Sequence, residues 1–168
     1  MKRLFLIFIL FALFLPVAAQ AALVTQTVDY RDGEKSLKGY LAYDDATKDK
    51  RPGILVVHEW KGLDAYAKMR TEQLAELGYV AFAVDMYGEG IVAKDHEAAA
   101  QLSGMYQKDR SLMRKRARAG YEVLKQNSLV DTQRMAAIGY CFGGSTVLEM
   151  ARAGFDLLGV VSFHGGLD

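Results

Sequence analysis

Two short apolar runs separated by a helical stretch constrain the fold of this 168-residue chain most strongly. Residues 54–57 are continuously apolar, and residues 79–87 contain a second run of the same kind, as is typical of strands covered on both faces. The stretch between them is expected to begin at Asp64 as N-cap and to stop at Gly78. Four large apolar side chains share one helical stripe within it: Tyr66, Met69, Leu74 and Leu77. This order predicts a β-α-β unit.

The remainder of the chain continues the alternation of strands and helices. Residues 23–30 and 37–43 alternate apolar and polar side chains around Asp32-Gly33, a turn signal that favours an antiparallel hairpin. Four further elements follow: a helical stretch at 94–127, a strand at 134–140, a helix at 143–154 and a strand at 157–163. The pattern predicts a three-layer α/β fold with a mainly parallel sheet and helices on both faces.

The helical stretch at 94–127 has two features of its own. Its pattern is broken near Lys108 and Asp109. Its basic run at 114–118 is interpreted as a solvated face, rather than a patch for an anionic partner, beside an apolar stripe of Leu112, Ala119 and Val123. The 21 Lys and Arg residues of the chain nearly balance its 20 Asp and Glu residues, so the charge does not favour a nucleic-acid partner.

The first 21 residues have the three-part form of a secretory signal peptide. Lys2 and Arg3 precede an apolar run of about 14 residues, shorter than the roughly 20 that span a bilayer. Small residues around Ala19 and Ala21 form a cleavage site, so we expect cleavage after Ala21 and one domain over residues 22–168. The alternative is an uncleaved anchor. Either interpretation predicts a folded part outside the cytosol, periplasmic or secreted, with no stable membrane span after cleavage.

The chain contains one cysteine, Cys141, which forms neither an internal disulfide nor a CxxC metal site by itself. No metal or cofactor is predicted. Gly139-x-Cys141-x-Gly143 lies between a predicted strand and a predicted helix, the context of a nucleophile elbow with cysteine in place of serine. A Cβ at either glycine is expected to clash in so tight a turn, and the following helix stabilises negative charge at the sulfur. The alternative is an inert cysteine that packs as a small hydrophobe.

An acyl-transfer site also needs donors for an oxyanion. Phe142 follows the cysteine directly, and its backbone N–H is the first candidate. The segment VVHEWKGL ends an earlier central strand, so the N–H of Trp60 is the second candidate, with Glu59 near the thiol. The pair His58-Glu59 is alternatively a polar start of a loop.

Three segments resemble the dienelactone hydrolase family of α/β hydrolases: residues 56–90, residues 138–144 (IGYCFGG) and residues 162–168 (SFHGGLD). They occur in the family's order over nearly all of the chain that follows the signal peptide. The resemblance implies that Cys141 attacks the carbonyl of a small ester or lactone, forming a thioester that water hydrolyses with help from His and Asp. It also implies that Glu59 contacts the resting thiol and helps to deprotonate it, while Trp60 and Phe142 supply the oxyanion N–H groups.

The sequence departs from the family pattern in two places. Glu89 stands where the prototype enzymes carry a substrate-binding arginine, which argues against a dienelactone-like anion as substrate. The triad acid and histidine are expected beyond Asp168, so we interpret the chain as the front part of a longer hydrolase with its C-terminal part missing. Of the histidines present, His164 is expected to support the site and His58 to shape the oxyanion loop, whereas His96 is expected to be solvated.

Three hypotheses follow for function. The first is an exported hydrolase that cleaves esters or lactones through a cysteine thioester. The second is a catalytically silent binding protein, or a truncated product, on the same scaffold. The third is a redox thiol protein, which the lack of a resolving cysteine disfavours. The sequence indicates neither the natural substrate nor the oligomeric state.

Overall fold

The computed structural model describes residues 22–167, so the predicted signal peptide and Asp168 lie outside the described residues. Within this range the chain forms six strands and four helices. In chain order they are β1 (Leu23–Asp32), β2 (Lys35–Asp44), β3 (Arg51–Val57), α1 (Ala65–Glu76), β4 (Val80–Val84), α2 (His96–Lys108), α3 (Arg110–Lys125), β5 (Val130–Tyr140), α4 (Phe142–Arg152) and β6 (Gly159–Phe163). None of these four helices combines the length and the apolar character needed to cross a membrane.

The strands form one sheet in the order β1-β2-β4-β3-β5-β6. β4, β3, β5 and β6 run parallel, while β1 and β2 form the predicted antiparallel hairpin and β2 pairs antiparallel with β4. The chain leaves β3 toward β4 on one side and later returns to β5 on the other, so the strand order reverses between β3 and β5. Ligand sites of open α/β sheets form at the carboxyl ends of strands beside such a reversal.

Helices cover both faces of the sheet, as predicted. Leu55 and Val57 of β3 belong to the main core cluster with residues of α3 and α4, including Leu124 and Val147. Val56, which points to the opposite face, belongs to a second cluster that Leu74 of α1 packs against. The predicted three-layer α/β fold is therefore confirmed. β6 is the outer strand of the described sheet, and its Val161 and Phe163 are exposed.

The apolar stripe predicted for α1 is wrong. Tyr66, Met69 and Leu77 are exposed, and Leu74 is only partly buried. The buried stripe instead consists of small residues four positions apart: Ala67, Thr71 and Ala75. Small side chains let the helix backbone lie close to the sheet, and the Thr71 hydroxyl is satisfied by the Ala67 carbonyl. The predicted Asp64 cap is confirmed, because its carboxylate accepts a hydrogen bond from the Ala67 N–H.

The predicted break between two helices is confirmed at Asp109. Its N–H donates to the Met105 carbonyl at the end of α2, and its carboxylate accepts from the Leu112 N–H at the start of α3. One residue therefore ends the first helix and caps the second.

The interpretation of residues 114–118 as a solvated face is wrong for Arg116. Its side chain is only 7% exposed, and its guanidinium Nε lies 3.0 Å from the carboxylate of Asp32, the last residue of β1. Arg114 pairs with the buried carboxylate of Glu149 on α4. The predicted stripe of Leu112, Ala119 and Val123 is only partly buried. α3 instead buries a face that includes the guanidinium: Met113, Arg116, Ala117, Gly120, Tyr121 and Leu124.

Candidate active site

Cys141 lies on the sharp turn between β5 and α4, and its backbone is strained. Its φ of 52° and ψ of −114° are a combination that residues with a Cβ rarely adopt, at a cost of about 1–3 kcal/mol. The flanking glycines make the turn possible. A Cβ at Gly139 would lie 2.0 Å from the Gly143 carbonyl oxygen, and one at Gly143 would lie 2.2 Å from the carbonyl oxygen of Val57. The predicted steric need for both glycines is confirmed.

The close approach at Gly143 presses the start of α4 against the carboxyl end of β3. Phe142 is the first residue of α4, and its N–H therefore has no acceptor within the helix. The helix dipole adds positive potential at the same point. This amide and the segment after β3 consequently meet beside the cysteine, as the elbow pattern predicts.

His58, the first residue after β3, is fully buried and bridges two backbone segments. The Met86 N–H donates to its Nε2 at 3.2 Å, so Nε2 carries no proton and the ring is protonated at Nδ1. Nδ1 donates to the Glu59 carbonyl oxygen at 2.5 Å. Burial lowers the pKa of His58 below its ordinary value, which keeps the ring neutral. His58 therefore holds the loop after β3, while the oxyanion role of that loop stays a prediction.

Tyr87 holds the next peptide group of the same loop. Its hydroxyl donates to the Trp60 carbonyl oxygen at 2.7 Å. Burial raises the pKa of Tyr87, and the nearby Tyr106 and Cys141 add to the effect, so the phenol stays protonated as a donor. Asp85 fixes the start of the segment, because its buried carboxylate accepts from the N–H groups of Tyr87, Gly88 and others. No motif in the sequence indicates this role for Tyr87.

Cys141 opens onto a cavity of about 320 Å³. Phe142 and Ser145 line it on the side of α4, and His164 lines it on the side of β6. A further part of the lining comes from the junction of α2 and α3 and includes Lys108 and Arg110. The sequence pattern indicates this junction but not its place beside the cysteine, because the residues concerned are more than 30 positions apart.

His164 and Glu59 form a contact at the edge of this cavity. His164 Nε2 lies 3.5 Å from Glu59 Oε1, which is an ion pair when the imidazole is protonated. His164 follows β6 with a φ of 46°, a second strained residue beside the site. The structure thus connects Glu59 to the cavity through His164, and the supporting role of His164 stays a prediction. The contact of Glu59 with the thiol stays a prediction.

Two other predicted positions lie apart from the cysteine. Glu89 is exposed, pairs with Lys35 at 3.1 Å and lines a different cavity from the one at Cys141. His96 is exposed at the start of α2, and its ring contacts that of Trp60 with centroids 5.3 Å apart. Among residues 22–167, no three His, Cys, Asp or Glu side chains are grouped as metal ligands.

Comparison with known proteins identifies relatives for most of the chain. A solved structure named m3DLH shares 39% sequence identity over 88% of this chain, with a TM-score of 0.85. A dienelactone hydrolase-like promiscuous phosphotriesterase from metagenomic libraries shares 41% over 87%, with a TM-score of 0.82. The protein usf of Aquifex pyrophilus is 29% identical over 83% of this chain. The chain spans 61% of the length of each of these three proteins.

The family model also covers most of the chain. It matches residues 37–168, a range that includes the loop after β3, the elbow and the segment after β6. The chain therefore belongs to the dienelactone hydrolase family.

Proposed function

We propose that this chain is part of an exported hydrolase that cleaves ester or lactone bonds through a thioester at Cys141. The observation that carries the proposal is the strained Cys141 at the mouth of a cavity, beside the Phe142 N–H at the start of α4, which has no acceptor within the helix. A strained elbow exposes the sulfur to a substrate instead of burying it among core side chains. Family membership supports hydrolysis as the reaction class.

The proposed first step is acyl transfer to the cysteine. The thiolate sulfur attacks the carbonyl carbon, and the carbonyl π electrons move to the oxygen. The Trp60 and Phe142 N–H groups stabilise that oxyanion. As the carbonyl re-forms, the C–O bond to the alcohol breaks, and the alkoxide takes up a proton and leaves. For a lactone the alcohol stays attached to the acyl group.

The proposed second step is hydrolysis of the thioester. Water adds to the thioester carbonyl, loses a proton to a base, and expels the thiolate to give a carboxylic acid. The resemblance implies a histidine as the base and an aspartate as its acid partner. Within the described chain, the contact between His164 and Glu59 supports the rim of the site.

The cavity suggests which substrates to test first. Lys108 and Arg110 place positive charge on the cavity wall, so esters with an anionic acyl group are included beside neutral ones. One solved relative is named a promiscuous phosphotriesterase, so a phosphotriester is the third probe.

The proposal is tested by turnover of p-nitrophenyl acetate with the purified gene product and its Cys141→Ala variant. We expect the wild type to hydrolyse the ester. We expect Cys141→Ala to reduce the rate to that of the uncatalysed reaction in solution. The matched control is Ser145→Ala, which removes a hydroxyl group from the lining of the same cavity but leaves the Cys141 sulfur in place. Equal rates for the wild type and Cys141→Ala would refute the cysteine mechanism. Ligand binding without any turnover would support the silent binding protein instead.

Export is a separate part of the proposal. The signal-peptide pattern of residues 1–21 supports it. The test is the intact mass of the protein recovered from the host's periplasm or medium. A mature chain that begins at Ala22 is expected, and a chain found only in the cytosol with residues 1–21 attached would contradict export.

A further inference from the structure

We propose that His58 is a positioning residue that aims the Trp60 N–H at the oxyanion of the acyl-transfer step. The inference rests on the proposed function, which it deepens by assigning a role to a buried side chain that does not touch the substrate. Its observations are the two hydrogen bonds of the His58 ring and the peptide group to which one of them connects.

The geometry of the peptide bond links His58 to the donor. The carbonyl of Glu59 and the N–H of Trp60 belong to one trans peptide group, in which the C=O and N–H bonds point in opposite directions. Because His58 Nδ1 holds the carbonyl at 2.5 Å, the ring also fixes the direction of the N–H. A hydrogen bond accepted by the carbonyl polarises the amide and makes its N–H a stronger donor.

The ring itself is held so that it cannot turn. The Met86 N–H binds Nε2 from the segment after β4, which sets the tautomer that donates to Glu59. The imidazole stacks on Phe142 with centroids 6.0 Å apart and meets Tyr87 edge-on at 4.9 Å. Phe142 carries the other proposed oxyanion donor. One buried ring therefore sets the spacing between the two amides.

Tyr87 acts on the following peptide group from the same side of the loop. Its hydroxyl holds the Trp60 carbonyl, so two consecutive peptide groups are fixed by two side chains. Both side chains depend on the segment after β4 for their own placement. The loop after β3 is consequently pre-organised before any substrate arrives, which is how an oxyanion site avoids reorganisation during the reaction.

The experiment compares two variants, each of which keeps one of the two hydrogen bonds of the His58 side chain. In His58→Asn the amide nitrogen takes the place of Nδ1 and can donate to Glu59. In His58→Gln the amide oxygen takes the place of Nε2 and can accept from Met86 but does not reach the Glu59 carbonyl. Each variant loses the ring and one buried hydrogen bond, so their thermal stabilities are expected to fall alike. The two variants should differ only in the direction in which the Trp60 N–H points.

Two rates are measured for each variant: kcat for p-nitrophenyl acetate, and alkylation of Cys141 by iodoacetamide, in which no oxyanion forms. We expect His58→Gln to lose about 10-fold to 100-fold in kcat with little change in KM. His58→Asn is expected to stay within about threefold of the wild type because it keeps the donor. Alkylation should be equal in all three proteins.

The contrary results separate this inference from the proposed function. Equal kcat for the two variants, or parallel losses of kcat and alkylation, would overturn the positioning role while the hydrolase proposal stands. A wild type without turnover would overturn both. Nitrogen NMR of the wild-type ring gives a check that needs no folded variant: we expect Nδ1 protonated and Nε2 bare near pH 7, and a proton on Nε2 would overturn the inference.

Discussion

Replacing Gly143 by alanine should separate the elbow from the loop that faces it. The added Cβ would lie 2.2 Å from the Val57 carbonyl oxygen and 2.6 Å from that of His58, and both neighbours are backbone atoms. To reach 3.0 Å, the shorter contact must lengthen by roughly 0.8 Å, and neither side can yield by rotating a side chain. The start of α4, with the Phe142 N–H, therefore moves away from the end of β3.

The expected losses affect both stability and rate. Overpacking against fixed backbone costs about 1–3 kcal/mol in the free energy of unfolding. A displacement approaching 1 Å between the two oxyanion donors is expected to lower kcat by about 100-fold, with a smaller change in KM. Urea denaturation gives the first quantity, and steady-state hydrolysis of p-nitrophenyl acetate gives the second.

Gly159→Ala is the matched control for Gly143→Ala. Gly159 begins β6, and a Cβ there meets no heavy atom within 4 Å, so both the unfolding free energy and kcat should stay near those of the wild type. The reasoning would be refuted by a Gly143→Ala variant with wild-type stability and wild-type kcat. A loss of the same size in Gly159→Ala would show that any added methyl group is harmful.

Three further predictions concern charged or titratable side chains. Arg116→Ala should lower the free energy of unfolding, measured by urea denaturation, by about 3–5 kcal/mol because it leaves the buried Asp32 carboxylate without its main partner. The control is Lys115→Ala, which removes a 65% exposed side chain near the same carboxylate and should cost less than about 1 kcal/mol. Equal costs for the two variants would contradict this prediction. Burial lowers the pKa of His58 from 6.5, so the unfolded chain binds the proton first and stability should fall as pH drops below 6.5, by up to about 1.4 kcal/mol per pH unit. His58→Asn should lack this slope between about pH 7 and pH 5, and an unchanged slope would contradict the assignment. Lys108→Glu should lower kcat/KM for an ester with an anionic acyl group by about 10-fold while sparing a neutral ester, and equal effects on both would remove the proposed charge selection.

The order of strands and helices could be predicted because it depends on local patterns. The β-α-β unit, the hairpin and the break at Asp109 all follow from apolar runs, turn residues and capping side chains within a few positions of one another. The elbow could be predicted for the same reason, since its two glycines and its cysteine lie within five residues.

The buried faces of α1 and α3 could not be predicted from apolar periodicity alone. In α1 the small residues Ala67 and Ala75 are buried against the sheet, while the larger Tyr66 and Met69 are exposed to solvent. In α3 the sequence around Arg116 is typical of a solvated face, but Arg116 is buried because it pairs with the Asp32 carboxylate, 84 positions earlier in the chain. Long-range partners decide which side of a helix is covered, and local sequence does not contain them.

The candidate site also has one part that could be predicted from the sequence and one part that could not. Cys141 and the loop after β3 were located from motifs, whereas the wall with Lys108 was not, because no pattern links it to the elbow. The bond between Tyr87 and the Trp60 carbonyl joins segments 27 positions apart and became visible only once the fold brought them together.

The most direct test of the account is the mass of the enzyme trapped during turnover. The purified gene product is mixed with p-nitrophenyl acetate, quenched with acid within the first turnovers and digested for mass spectrometry. We predict an acetyl group on the peptide that contains Cys141, released by hydroxylamine as a thioester should be, and absent from Cys141→Ala. Turnover of the ester with no acyl group on Cys141 at any quench time, and with the same rate in Cys141→Ala, would contradict the central claim.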